Sequence, residues 1–147
     1  MARLEIVDGG WLELRPIGLQ FAKGDPDGWL YVELACELED GSREPTIEAA
    51  FTQPEFTSLI SWLGAVARRE VQPGDHWGAL EPCLAATLLR NYELSVELEL
   101  ALSHEWRLLP DGSAERARIT VTRERLQDFS GALRAELSTM GASGRAR

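Results

Sequence analysis

Cysteines and long apolar runs are both scarce in this chain of 147 residues. The two cysteines, Cys36 and Cys83, are too few and too far apart for a disulfide framework, so we predict that both pack as small buried side chains. No apolar run approaches the roughly 18 residues of a membrane-spanning helix. The N-terminal MARLEIVDGG lacks the apolar stretch of a signal peptide. We therefore expect a cytoplasmic protein that binds no membrane.

Residue patterns that support catalysis or metal binding are also missing. The histidines His76 and His104 have Asp75 and Glu105 beside them, but neither HxH nor HxxxH spacing supports a metal site. There is no GxSxG, P-loop, GxGxxG or CxxC motif. Glycoside hydrolysis would need one carboxyl in an apolar pocket, which outward strand positions do not provide. The sequence thus predicts no enzyme, no catalytic residue, no metal and no cofactor.

Basic residues are few, because 15 lysines and arginines stand against 24 acids and give a formal charge of -9. Residues 1–100 hold 18 of the acids and only 7 of the bases. Nucleic-acid binding depends on cations that neutralise phosphates, so this composition argues against a nucleic-acid partner. An acidic surface favours a basic protein or a cation as partner, or only water.

The chain does contain clear alternation of apolar and polar residues, which is the period of a strand with one buried face. This pattern indicates about four strands before Thr52 and three between Leu80 and Thr122, joined by hairpin turns. Helical spacing follows Thr52, where Glu55 completes a capping box, and returns after Thr122. The first helix should bury Phe56, Leu59, Ile60, Leu63, Val66 and Ala67.

These elements predict a single α+β domain over residues 1–140. Its antiparallel sheet should contain about seven strands with two helices on one face, in the order ββββ-α-βββ-α. The other face of the sheet would remain in contact with water. Residues 141–147 are expected to form a disordered C-terminal tail.

The segment YELSVELELALSHEW, residues 92–106, gives this exposed face an acidic character. If the next turn lies at PDGS, Arg116 and Arg118 lie opposite residues between about 103 and 107. Glu97 and Glu99 would then have no cationic cross-strand neighbour. Such glutamates either keep the protein soluble or attract a basic partner. The inward phase of the same strand comprises Tyr92, Leu94, Val96, Leu98, Leu100 and Leu102.

Five segments resemble, in order, those of a family of small bacterial immunity proteins, the WapI-type immunity proteins. They are DGWLYVELACELEDGSRE, FTQPEFTSLISWL, LEPCLAATLL, LSVELELALSHE and ERLQDFSGALRAEL. The resemblance extends from about Trp11 to Leu137. It implies a non-enzymatic protein that is encoded beside a polymorphic toxin and neutralises that toxin in the producing cell.

The partner expected from this resemblance is a basic toxin domain, such as a nuclease, whose phosphate-binding cations would meet the acidic face. Glu93, Glu97 and Glu99 would bind it, together with Glu33 and Glu37 if their strands adjoin. The alternative function is a globular domain that binds a small ligand or forms a homodimer through an exposed sheet edge.

Overall fold

Eight strands and two helices form the part of the chain that the computed structural model describes, residues 2–19, 29–37, 43–78, 84–102 and 115–145. The first half contains β1 (Ala2–Glu5), β2 (Trp11–Leu19), β3 (Trp29–Glu37), β4 (Arg43–Thr52) and helix α1 (Gln53–Ala67). The second half repeats this order with β5 (His76–Gly78), β6 (Leu84–Asn91), β7 (Ser95–Leu102), β8 (Glu115–Thr122) and helix α2 (Arg123–Arg145). All the strand pairings are antiparallel, which confirms the α+β prediction.

The strands form two sheets of four, β1-β2-β3-β4 and β5-β6-β7-β8, where we predicted one sheet of about seven strands. The additional strand, β5, lies within the segment VQPGDHWG, between the first helix and the predicted strands that begin at Leu80. Three residues are too few to show an alternating pattern, so the sequence does not indicate this strand. Its central residue, Trp77, is buried with its ring centroid 5.9 Å from that of Phe51.

The inner faces of both sheets and of both helices share one apolar core. Burial of a leucine or valine side chain stabilises the fold by roughly 1.5–3 kcal/mol, so the alternating strands supply much of the driving force. Cys36 is buried in β3, which confirms its predicted packing role, whereas Cys83 lies outside the described residues. Besides Cys36, the core strands β3 and β7 bury Leu30, Val32, Leu34, Val96, Leu98 and Leu100.

The start of α1 matches the prediction in detail. The hydroxyl of Thr52 accepts a hydrogen bond from the Glu55 amide at 3.2 Å, and the Glu55 carboxylate accepts one from the Thr52 amide at 3.0 Å. This reciprocal pair satisfies two backbone donors that have no partner within the helix. All six apolar residues predicted to be buried on α1 are buried.

Helix α2 begins directly after Thr122, where helical spacing was predicted to return, and the Thr122 hydroxyl accepts a hydrogen bond from the Arg125 amide at 3.2 Å. Leu126, Phe129 and Leu133 are buried at helical spacing. The helix continues to Arg145, five residues into the segment that we expected to be disordered, so its backbone geometry persists beyond its apolar stripe. The division into one domain and a short tail stays a prediction.

The two helices pack against each other, and α2 also contacts β1, β2 and β8. At the crossing, the buried Ser130 hydroxyl donates a hydrogen bond to the Ile60 carbonyl at 2.9 Å. Gly64 lies beside the same serine, and a methyl group there would lie 3.3 Å from the Ser130 oxygen. This close approach holds the C-terminal end of α1 near the start of α2. No helix among the described residues is long and apolar enough to span a membrane.

Candidate interaction surfaces

The structure distributes the five predicted partner-binding glutamates over two sheets and a turn. Glu33 and Glu37 lie on β3 in the first sheet, and Glu97 and Glu99 lie on β7 in the second sheet. Glu93 lies in the turn between β6 and β7. Because β3 pairs only with β2 and β4 in the described sheets, the two pairs of glutamates are not on adjoining strands.

Both glutamates of β7 have arginine partners, so the prediction that they have no cationic neighbour is wrong. Glu99 binds Arg116 at 3.0 Å and lies 3.8 Å from Arg118, which is its direct cross-strand neighbour. Glu97 lies opposite Arg90 on β6, with 4.0 Å between the closest charged atoms. The outward carboxylates of this strand are therefore neutralised within the chain.

Two features of strand register account for the error. In the observed register Leu102 lies opposite Glu115 and Glu99 lies opposite Arg118, whereas a turn at PDGS would have placed Arg116 and Arg118 opposite residues between about 103 and 107. The register of β6 with β7 also shifts between Leu88 and Arg90, and this irregularity places Arg90 opposite Glu97. Bulges and the register between strands determine which side chains meet across a sheet.

Arginines form the outer layer of these ion pairs. The side chains of Arg116 and Arg118 are 66% and 70% exposed, whereas that of Glu99 is 19% exposed. In the first sheet Arg15 binds Glu33 at 2.9 Å, and there the two side chains are similarly exposed. A partner that approaches the outer face of β7 therefore meets guanidinium groups before it meets Glu99.

Further pairing occurs on the first sheet beside these glutamates. Arg3 binds Glu13 at 2.6 Å, and its guanidinium carbon lies 4.4 Å from the centroid of the Trp11 ring. Glu37 lies between Trp11 and Arg43 in the strand register. Exposed ion pairs of this kind contribute about 0–1 kcal/mol each to stability. Their larger effect here is to offset the charges of Glu13 and Glu33.

A different surface occurs where the β6–β7 turn meets the start of α2. We define this turn–helix corner as residues 92–94 and 122–128. Tyr92 and Leu94 were predicted to point inward, but they are 44% and 78% exposed, so that prediction is wrong. The reason is that β7 begins only at Ser95, which leaves both residues in the turn, where strand alternation does not apply.

Arg123 joins the parts of this corner. Its guanidinium donates hydrogen bonds to the carbonyls of Tyr92 and Glu93, to the Asn91 side chain and, at 2.9 Å, to the Val66 carbonyl at the end of α1. Its backbone amide donates to the Leu94 carbonyl at 3.0 Å. Burial, together with nearby Arg69, lowers the pKa of Arg123. The pKa starts so high that the side chain keeps its charge at neutral pH.

A groove of about 450 Å³ opens at the corner. Its carboxylates, Glu93, Glu124 and Asp128, are exposed, and no ion pair joins them to any other described residue. Of these acids the sequence indicated only Glu93. The available signal for the others was the Thr122 cap, which places residues 124 and 128 near the exposed start of α2. The lining consists of Glu93, Leu94, Thr122, Arg123, Glu124, Arg125 and Asp128.

The structure gives little support to a metal site or to a small-ligand pocket, the alternatives considered from the sequence. His76 and Asp75 are both exposed, while His104 and Glu105 lie outside the described residues. Within the described ranges, no three histidine, cysteine or acidic side chains are grouped as metal ligands would be. An interior void between the sheets and helices measures about 20 Å³, which is room for about one water and not for a larger ligand.

Comparison with protein families gives a match that covers most of the chain. The model of the immunity protein WapI-like family matches residues 3–141, from β1 into α2. No curated protein matches the chain. Among solved structures, that of the plant transcriptional regulator PBF-2 is similar over 93% of this chain and 80% of its own, with 11% identity and a TM-score of 0.46.

Proposed function

The chain belongs to the WapI-like immunity protein family, and from that membership we propose that it binds a cognate bacterial toxin domain and neutralises it without catalysing a reaction. The observation that carries this proposal is the family match over residues 3–141. That match includes strands from both sheets and most of both helices, so it concerns the whole fold and not one short motif.

The toxin that this chain suits best is a basic one, such as a nuclease. Supporting this is the formal charge of -9, since opposite net charges accelerate the encounter of two proteins. A nuclease binds phosphate through clustered cations, and an acidic inhibitor competes for the same cations. The immunity protein would act in the cytoplasm of the cell that produces the toxin.

The face that meets the toxin is a separate part of the proposal. The five glutamates predicted from the sequence, Glu33, Glu37, Glu93, Glu97 and Glu99, remain candidates, but the ion pairs described above weaken the case for Glu33, Glu97 and Glu99. To reach Glu97 or Glu99, a cationic partner would have to displace arginines that already neutralise them. Glu93 differs because it is exposed at the turn–helix corner and forms no ion pair with a described residue.

The experiment that tests the function uses the neighbouring gene. The gene immediately upstream should encode a large secreted protein with a variable C-terminal domain. Expression of that domain alone in a bacterial host should stop growth, and co-expression of this chain should restore it. The two purified proteins should also form a complex in isothermal titration calorimetry. Absence of both rescue and binding would contradict the proposed function.

A further inference from the structure

We propose that the turn–helix corner is the docking surface for a cationic segment of the cognate toxin domain. Leu94 would be the apolar anchor, and Glu93, Glu124 and Asp128 would receive the basic side chains around it. This inference rests on the proposed function, because it assigns a surface to the toxin contact.

The first observation is the exposed apolar side chain at the tip of a turn. Leu94 is 78% exposed, and Tyr92 beside it is 44% exposed. Turn positions are normally occupied by glycine, proline or short polar residues, which satisfy the backbone locally. Leucine supplies none of those contacts, whereas an apolar side chain that is surrounded by polar groups is typical of an interface core. The pair therefore fits a contact with another protein better than a simple connection.

The second observation is the rigid support beneath Leu94. The turn is closed by a hydrogen bond from the Tyr92 amide to the Ser95 carbonyl at 2.9 Å. The Leu94 carbonyl accepts from the Arg123 amide, and the Arg123 guanidinium binds the two preceding carbonyls of the turn. A turn that is already ordered loses little conformational entropy on binding. The corner thus presents Leu94 in a fixed position before any partner arrives.

The third observation is the acidic lining of the groove, which favours a cationic partner. Three exposed carboxylates line the groove beside Leu94, and within the described part of the chain none of them forms an ion pair. Of the two arginines in the lining, Arg123 directs its guanidinium toward backbone carbonyls, which leaves Arg125 as the exposed cation. The local charge and the charge of the whole chain therefore both favour a positively charged segment.

The test measures affinity for the purified C-terminal domain encoded by the upstream gene. We expect Leu94→Ser to weaken binding by about 30-fold, the effect of losing one interface hot spot. The triple variant Glu93→Gln/Glu124→Gln/Asp128→Asn should weaken binding by at least about tenfold and reduce the salt dependence of the association rate. Circular dichroism and denaturant midpoints should confirm that each variant is folded.

Matched control variants test whether a loss of binding is specific to the corner. Glu5→Gln/Asp8→Asn/Asp75→Asn removes the same number of charges from exposed acids elsewhere, and Val7→Ser removes an exposed apolar side chain of the first half. Both controls should bind within about twofold of the wild type, because surface changes outside an interface have small effects. A loss in the charge control that equals the loss in the corner variant would mean that only net charge matters, and would overturn the inference.

Two further outcomes separate this inference from the proposed function. If the wild-type chain binds the domain and the corner variants bind equally well, the corner is not the docking surface, although the function stands. Binding that is lost in Glu97→Gln/Glu99→Gln but retained in the corner variants would assign the contact to the sheet face instead. If the wild-type chain does not bind the domain at all, the proposed function itself fails.

Discussion

On the outer face of the second sheet, arginines lie over the glutamates of β7, whereas at the turn–helix corner three carboxylates surround an exposed leucine without any described cationic partner. Glu99 on the sheet face has two arginines within 4 Å, and Glu97 has one at that distance. Both regions are acidic in sequence, and they differ in what lies across from each acid. A run of glutamates on a strand therefore does not by itself define an acidic surface.

The difference follows from the geometry of the two elements. Strands face neighbours at about 5 Å, so a neighbouring strand can bring an arginine directly opposite each glutamate. A turn and the first turn of a helix have no such neighbour, and acids at a helix start are also favoured by the helix dipole. Carboxylates at the corner can thus remain available to a partner without cost to the fold.

The largest expected effect is a difference in stability between variants of two leucines, Leu94 and Leu98, which the sequence places on the same phase of one strand. Leu98 is fully buried and Leu94 is exposed. Leu98→Ala should lower the free energy of unfolding by about 2–5 kcal/mol, because it removes buried contacts and leaves a cavity. Leu94→Ala should change it by less than about 0.5 kcal/mol. Urea unfolding followed by tryptophan fluorescence measures both values.

Equal losses in the two leucine variants would mean that Leu94 is packed in solution, and the corner would no longer differ from the strand. Leu100→Ala provides a control, since Leu100 is also buried on β7 and should resemble Leu98.

This pair of leucines also illustrates what the sequence could and could not predict. The N-terminal cap and the buried stripe of α1 were predicted correctly, because capping and helical spacing depend on residues three or four positions apart. The α+β class followed from the same local patterns. The register of β7 with β8, which places Glu99 opposite Arg118, depends instead on the pairing of residues that are distant in sequence, and no local pattern specifies it.

The candidate surface was harder to predict because it joins three distant parts of the chain. Glu93 was identified within the strand pattern, but Leu94 was assigned to the wrong face. The Arg123 contacts to Val66 and Tyr92 span 57 and 31 residues. Such contacts arise only after the helices have packed, so sequence spacing does not indicate them.

The second-largest effect is expected when an arginine of the corner is replaced, in comparison with an arginine of the sheet face. Arg123→Ala should lower the free energy of unfolding by about 2 kcal/mol, because it leaves the partly buried Val66 carbonyl and Asn91 side-chain oxygen without their charged donor. Arg118→Ala on the sheet face should cost no more than about 1 kcal/mol, since its side chain is 70% exposed. Chemical denaturation at one ionic strength gives both numbers.

Arg123→Lys serves as the matched variant for charge. An ammonium group cannot reproduce the planar set of hydrogen bonds that a guanidinium makes to several carbonyls, so lysine should recover only part of the lost stability. Full recovery would show that charge alone, and not the hydrogen-bond network, holds the turn against α1. An Arg118→Ala loss as large as that of Arg123→Ala would remove the distinction between the two regions.

The smallest effect concerns an exposed ion pair that lies close to the corner but resembles those of the sheet faces. Arg68 binds Glu70 at 2.8 Å just after α1. This hydrogen bond lowers the pKa of Glu70, so the carboxylate stabilises the fold above its unfolded pKa of about 4.3 and loses that contribution as pH falls through the lower folded value. Glu70→Gln should therefore be slightly less stable than the wild type at pH near 7, and the difference should shrink toward about pH 3. Denaturant midpoints at both pH values, at constant ionic strength, measure the change. A difference that instead grows in acid would mean that Glu70 is destabilising when charged, and that even a carboxylate with its own arginine is not neutralised on this side of the molecule.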